Sequence, residues 1–369
     1  MADVNTQQQR QISPAQRNQY FSQLTRQHIQ ALPAKPWTEG STISFEIPKA
    51  RLLAKIKLLV TASVNVQHAA DVVFVPFENA PFTLVRKIEV NLNNGFSPYV
   101  ISGVQAYIMN LLGVNGSAVS PVRDTNVITN ASRAKNVMGL SADTAANGGA
   151  DNRIQMVIDL PIALNDRDPA GLIMLQAPDV LVNVNVTMGT LLSDLFNAPL
   201  GYTAALSNAT IQPIIETYSI PAPMEARPDL SILKLVQGRT ETITAAGSKV
   251  IALPTGNMYR KLAVWIKDAT GGEADGDLST DFKLKLNTAD QPYSIPHRVL
   301  AEMNQMDYGR TLPAGVFVFD FSKNSGVPNF GTPRDYIDTA QLTQFELEFT
   351  AAAAGSVEYI YETLSVLKR

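Results

Sequence analysis

The run Lys55-Ile56-Lys57-Leu58-Leu59-Val60-Thr61-Ala62-Ser63-Val64-Asn65-Val66 alternates apolar and mostly polar side chains. Successive side chains of an extended chain point to opposite faces, so this period of two predicts a long strand burying Ile56, Leu58, Val60, Ala62, Val64 and Val66. The same period recurs at residues 84–92, 154–160, 180–188 and 211–220. It stops at Pro221, Pro223 and Pro228 and returns at 231–236, 241–253, 262–266, 282–286, 316–321, 342–349 and 357–366. The proline cluster predicts a domain boundary. Many strands divided by polar loops favour antiparallel sandwiches over a parallel sheet.

Each half also carries one helix. Ser102-x-x-Gln105 is a capping pattern that opens a helix over 103–112, and Gly113 closes it. A second helix is expected over 296–308, with Ser294 before it and Gly309 after it. The shared order of strands, helix, strands predicts a structural duplication. The fold class is all-β, with two tandem eight-stranded jelly-roll sandwiches, each with a short helix, plus an N-terminal helical arm. Residues 115–153 are rich in Asn, Ser, Ala, Thr and Gly and too long for an ordinary connection, which predicts a surface excursion.

Residues 1–40 differ from the rest. Nine glutamines fall in the first 30 residues, with Arg10, Arg17, Arg26 and Lys35 set against Asp3 and Glu39. Ser13-Pro14-Ala15-Gln16 has the form of a helix start. Phe21, Leu24, His28 and Leu32 at helical spacing predict an amphipathic helix ending before Pro33, then an extended arm. The segment either packs on its own domain or reaches a neighbouring subunit or a membrane surface. In the second case Arg10, Arg17, Phe21, Leu24 and Arg26 make the contact. The expected divisions are 1–40 for the arm, 41–220 for the first jelly roll and 229–369 for the second. No secretory h-region and no apolar run of about 20 residues occurs, so a soluble, unexported protein is expected.

Composition narrows the chemistry. The chain has 369 residues, 45% apolar and 17% charged, which suits two folded domains rather than a disordered chain. A formal charge of −3 argues against a surface tuned to wrap nucleic acid, and zero cysteines remove disulfides, thiolate metal sites and thiol nucleophiles. Phosphate-binding loops, nucleophile elbows and His-Glu-x-x-His are all missing. No catalytic, cofactor-binding or metal site is expected. His28, His68 and His297 stand far apart and read as surface or cap residues. The loop Gly271-Gly272-Glu273-Ala274-Asp275-Gly276-Asp277, with Asp281 beyond it, reads as a solvated turn with a cation site as the alternative. Glu346 and Glu348 share a strand face in a spacing that an inverting glycosidase would use, yet Phe345, Leu347 and Phe349 occupy the other face, as in an ordinary half-buried strand. Lys49, Arg51, Lys55 and Lys57 form a basic cluster without interleaved aromatics, which reads as a solvated face or subunit contact.

The Gln/Arg-rich N-terminus, the two sandwiches, Leu312-Pro313-Ala314-Gly315-Val316-Phe317-Val318-Phe319-Asp320 and Val357-Glu358-Tyr359-Ile360-Tyr361-Glu362 together resemble the double jelly-roll major capsid proteins of tectiviruses. These are phages with a membrane inside an icosahedral shell. The resemblance implies a homotrimer whose six sandwiches form a pseudo-hexagonal capsomer. It implies a virion shell assembled in the host cytoplasm over an internal membrane, with minor capsid and vertex proteins as partners and no cofactor or specific nucleic acid. Residues 115–153 and 270–281 would then be outer loops or subunit contacts. The alternatives are a β-sandwich carbohydrate-active or carbohydrate-binding protein using Glu346 and Glu348, or a viral spike or fibre adhesin.

Overall fold

The computed structural model describes residues 14–68, 77, 79–93, 95–113, 122–124, 136–139, 142–164, 169–177, 179–196, 201–223, 226–268, 281–287, 290–323 and 336–366. Sixteen strands build two rolls. The first contains β1 (Gln27–Ala31), β2 (Thr42–Glu46), β3 (Leu52–His68), β4 (Val85–Leu92), β5 (Phe96–Ile101), β6 (Ala150–Pro161), β7 (Val182–Met188) and β8 (Tyr202–Tyr218). The second contains β9 (Ile232–Ile243), β10 (Gly247–Ala252), β11 (Met258–Asp268), β12 (Phe282–Leu286), β13 (Asp290–Ile295), β14 (Val316–Asp320), β15 (Phe345–Ala351) and β16 (Gly355–Val366).

The first roll has sheet orders β1-β8-β3-β6 and β2-β7-β4-β5, and the second has β9-β16-β11-β14 and β10-β15-β12-β13. Adding eight to each strand number of the first roll gives the second. Helix α2 (Gly103–Leu111) follows β5, and α3 (His297–Tyr308) follows β13, so the helices also correspond. The expected duplication of eight-stranded jelly rolls is what the chain adopts.

Alternation does the work that the sequence assigned to it. In β3 the even-numbered residues from Ile56 to Val66 are buried and the odd-numbered ones only partly so. They face Ile88, Val90, Val184 and Val186 of the opposite sheet in one apolar cluster. The second core is more aromatic. Phe282 lies with its ring centroid 5.0 Å from Phe317 and 5.7 Å from Phe349. Helix α2 is opened by the capping box, Ser102 Oγ accepting from Gln105 N and Gln105 Oε1 accepting from Ser102 N.

Three expectations need correction. The N-terminal helix, α1 (Pro14–Leu24), stops at Leu24 rather than near Pro33. Residues 27–31 instead form β1 on the edge of the first sheet, where main-chain bonds to β8 replace intrahelical ones. His28 and Leu32 therefore belong to no helical stripe. The proposed excursion over 115–153 contains the strands Val122–Asp124 and Val137–Gly139, and β6 already begins at Ala150. Buried Asn136 accepts a hydrogen bond from Val157 N through its side chain, so the described residues 122–124 and 136–139 extend the sheet. The expected strand over 241–253 is two strands, turned between Ile243 and Gly247, whose φ of 139° suits glycine. Helix α3 lies where it is expected, with Pro296 as its N-cap and Gly309 as its C-cap.

The rolls are joined by a seam. β5 and β9 pair in parallel, Tyr99 opposite Val236 and Val100 opposite Gln237, so one sheet of each roll runs into the other. Next to this pair Gly238 meets α2 so closely that a Cβ would stand 1.9 Å from Gln105 Oε1. Leu233, Leu235, Val236, Trp265 and Ile360 of the second roll complete the apolar core of the first.

Charge is buried at the same seam. Along β16, Tyr359 and Tyr361 point into the second core, and Ile360 and Glu362 point the other way. Glu362 is 4% exposed, with Lys234 Nζ at 3.1 Å and Arg260 Nε at 3.3 Å. Arg260 reaches it from a register shift in β11 between Tyr259 and Lys261. Burial pushes the Glu362 carboxyl up, but Lys234, Arg260 and Lys261 together outweigh burial and hold it below the usual carboxylate value of 4.5. Burial draws the Lys234 ammonium down, against the pull of Glu362.

A carboxyl with a depressed folded-state pKa stabilises the fold above its unfolded value, and that contribution is lost as pH falls through the folded one. Acid below about pH 4.5 should therefore lower the wild-type melting temperature. Glu362→Gln leaves two buried cations without their anion and should cost about 3–5 kcal/mol at pH 7. Urea melts at pH 7 and pH 4 check this, with a smaller acid-induced loss expected in the variant. Phe282→Ala, in the second core, should cost about 3–5 kcal/mol in the same assay.

Candidate assembly surface

The first roll repeats the charged feature at its outer edge. Glu216-Thr217-Tyr218-Ser219-Ile220 closes β8 as Glu362-Thr363-Leu364-Ser365-Val366 closes β16. Glu216 is 5% exposed, pairs with Lys57 and lies 3.9 Å from Lys55 Nζ. It faces Ile29 of β1 in the register, as Glu362 faces Val236 of β9. Gln27 Nε2 donates to Glu216 Oε2 at 3.3 Å, and Lys234 holds the corresponding place beside Glu362. Of the basic cluster Lys49, Arg51, Lys55 and Lys57, the last two face this carboxylate. The five-residue repeat of Glu, Thr and Ser was the signal that would have paired them with a carboxylate.

Beyond Glu216 lies the edge strand β1. Among the described residues β1 pairs only with β8, and β13 pairs only with β12. Ile29 on β1 is 64% exposed. Strand edges of this kind offer unpaired main-chain groups to another chain.

Helix α3 presents a second exposed face. Its inner side is fixed by buried Leu300 and by Asn304, whose Nδ2 donates to Val318 O at 2.8 Å while its Oδ1 accepts from Val318 N at 2.9 Å. Its outer side carries Val299, Met303 and Met306, which are 49%, 45% and 82% exposed.

The N-terminal contact residues divide. Phe21 is buried against Leu52, Ala54, Ala163 and Leu172, with its ring edge-on to Tyr218 at 5.5 Å. Leu24 and Arg26 are exposed and Arg17 is half-buried. Arg26 is tied to Ser219 by main-chain N donating to Oγ at 2.9 Å and by Ser219 N donating to Arg26 O at 3.0 Å. Arg10 lies outside the described residues.

Among the described residues no group of three or more His, Asp or Glu is placed to hold a metal. His68 packs edge-on to Tyr202 at 6.1 Å and His297 edge-on to Phe317 at 6.3 Å. Of the acidic loop, residues 271–277 lie outside the described residues. Glu348 is bonded to Lys285, and that bond holds its carboxyl below 4.5, opposite to what a general acid requires. A shallow open hollow beside Pro36, Trp37 and Leu206 has no convergent ionisable groups beyond Glu39. No described helix is long and apolar enough to cross a membrane.

Comparison with known proteins shows the same architecture elsewhere. Residues 239–367 match the family model of the viral coat protein P2 C-terminal domain. No curated protein matches the sequence. The major capsid protein (MCP) of Sulfolobus Turreted Icosahedral Virus superposes with a TM-score of 0.66 at 17% identity, covering 92% of this chain and 97% of that one. VP54 of PBCV-1 gives 0.59 at 11% identity, covering 92% and 93%. The major capsid protein P2 of Bacteriophage PM2 gives 0.53 at 10% identity, covering 93% and 99%. The chain therefore has the double jelly-roll fold of viral major capsid proteins, and its residues 239–367 match the viral coat protein P2 C-terminal domain.

Proposed function

We propose that this chain is a major capsid protein that trimerises into pseudo-hexagonal capsomers and builds an icosahedral shell over an internal membrane. The observation that carries the reading is the match of residues 239–367 to a viral coat protein domain inside a chain-long double jelly roll. A shell protein needs broad surfaces for copies of itself rather than a convergent site. The open edges of β1 and β13 and the apolar outer face of α3 are surfaces of that kind. Six rolls from three chains give a closed tile without any second protein.

The N-terminal segment meets the membrane or an adjacent capsomer. Phe21 anchors it to its own roll, which leaves Arg10, Arg17, Leu24 and Arg26 for the outer contact. The expected charge on residues 1–40 is only mildly positive, so attraction to anionic lipid is modest. Minor capsid and vertex proteins complete the shell, and assembly proceeds in the host cytoplasm.

Purified chain should run as trimers by mass photometry without added partner, and a monomer at micromolar concentration would overturn the reading. Deleting residues 1–13 should preserve trimers and reduce co-sedimentation with anionic liposomes. Equal liposome binding before and after deletion would remove Arg10 from the membrane contact, and no binding by the full chain would remove that contact from the account.

A further inference from the structure

We propose that the seam joining the two rolls is built a second time between copies, the β13 edge and the outer face of α3 docking on the β1 edge of a second copy of this chain. The proposal rests on the capsid reading above and names the surfaces that the capsomer would use.

The argument is a residue correspondence fixed by register. In the first roll Val90 faces Tyr99 and Ile88 faces Ile101, and in the second Leu284 faces Tyr293 and Phe282 faces Ile295. Both helices begin two residues after that isoleucine. Tyr293 and Ser294 thus hold the places of Tyr99 and Val100. Val299, Met303 and Met306 hold those of Gln105, Met109 and Leu112. On the receiving side, Ile29 faces Glu216 and Val236 faces Glu362, each glutamate opening the repeated Glu-Thr-x-Ser segment. Ile29, Gln30 and Ala31 therefore hold the places of Val236, Gln237 and Gly238.

Burial separates the two sets. Val236 is 1% exposed and Ile29 64%. Gln105 is 4% exposed and Val299 49%, while Leu112 is 6% and Met306 82%. The positions that the seam covers in one roll are bare in the other, and they are apolar where they are bare. Gln105 is polar because its side chain also caps α2, whereas α3 is capped by Pro296 and can carry valine there. Val299 then meets Ala31 as Gln105 meets Gly238, small residue against helix in both cases.

The main chain follows the same template. Tyr99 and Val100 pair in parallel with Val236 and Gln237. Tyr293 and Ser294 of one copy accordingly pair with Ile29 and Gln30 of the next, continuing the sheet across the contact. The contact is head to tail, the kind that closes into a ring when the rotation between copies closes, as the proposed trimer requires.

The chain has no cysteine, so an introduced pair reports on one contact only. Strand-paired positions of this kind fall within the roughly 4.4–6.8 Å Cα separation that a disulfide spans. On mild oxidation, a mixture of Gln30→Cys and Ser294→Cys chains should give a covalent dimer on a denaturing gel, and neither chain alone should. Met306→Asp should weaken self-association by about tenfold or more with an unchanged far-UV circular dichroism spectrum. Trimers that form without the cross-link, or that tolerate Met306→Asp, would overturn this placement and leave the capsid reading intact. A wild-type chain that stays monomeric overturns both.

Discussion

Glu362 is buried where three strands of the second roll meet the first, and its charge is tolerable there only because Lys234 and Arg260 are buried with it. The triad does more than neutralise itself. Lys234 comes from β9, Arg260 from a shift in β11 and Glu362 from β16, so satisfying one carboxylate sets the mutual position of three strands. β9 is also the strand that pairs with β5. A displacement of the rolls would strand an ion in an apolar seam, which makes the electrostatics a constraint on geometry as much as a source of stability.

This constraint explains why the halves do not behave as beads on a string. Main-chain pairing between β5 and β9 gives the join direction, the contact of Gly238 with Gln105 brings helix and strand to their closest approach, and Leu233, Val236 and Ile360 lend apolar surface to the neighbouring core. Each of these is short in sequence and long in consequence. The seam turns two sandwiches into one continuous sheet flanked by two others.

The period of two in residues 55–66 and 180–188 was legible because one face of each strand is dry and the other is not. The capping box of α2 was legible for a local reason, a hydroxyl and an amide three residues apart. β1 was not, because its residues are exposed at a sheet edge, and exposed residues leave no burial pattern to read. Val137–Gly139 was missed because three residues are too few to show a period, and its partners, Ile154 and Gln155, lie beyond the polar stretch. The seam was invisible in another way: Lys234, Arg260 and Glu362 read singly as ordinary strand charges, and only the register brings them together. Phe21, taken as a contact residue of an arm, is buried by Leu52 and Tyr218, whose placement depends on β3 and β8.

The repeated glutamates differ in one respect that matters for solution conditions. Glu362 keeps its cations dry, Lys234 at 3% and Arg260 at 11% side-chain exposure. Glu216 has Lys55 and Lys57 at 23% and 30%, with neutral Gln27 in the place of Lys234. Mobile ions screen charges that water can reach and largely miss those it cannot. Ionic strength therefore acts on the outer edge of the first roll while leaving the join within the chain untouched.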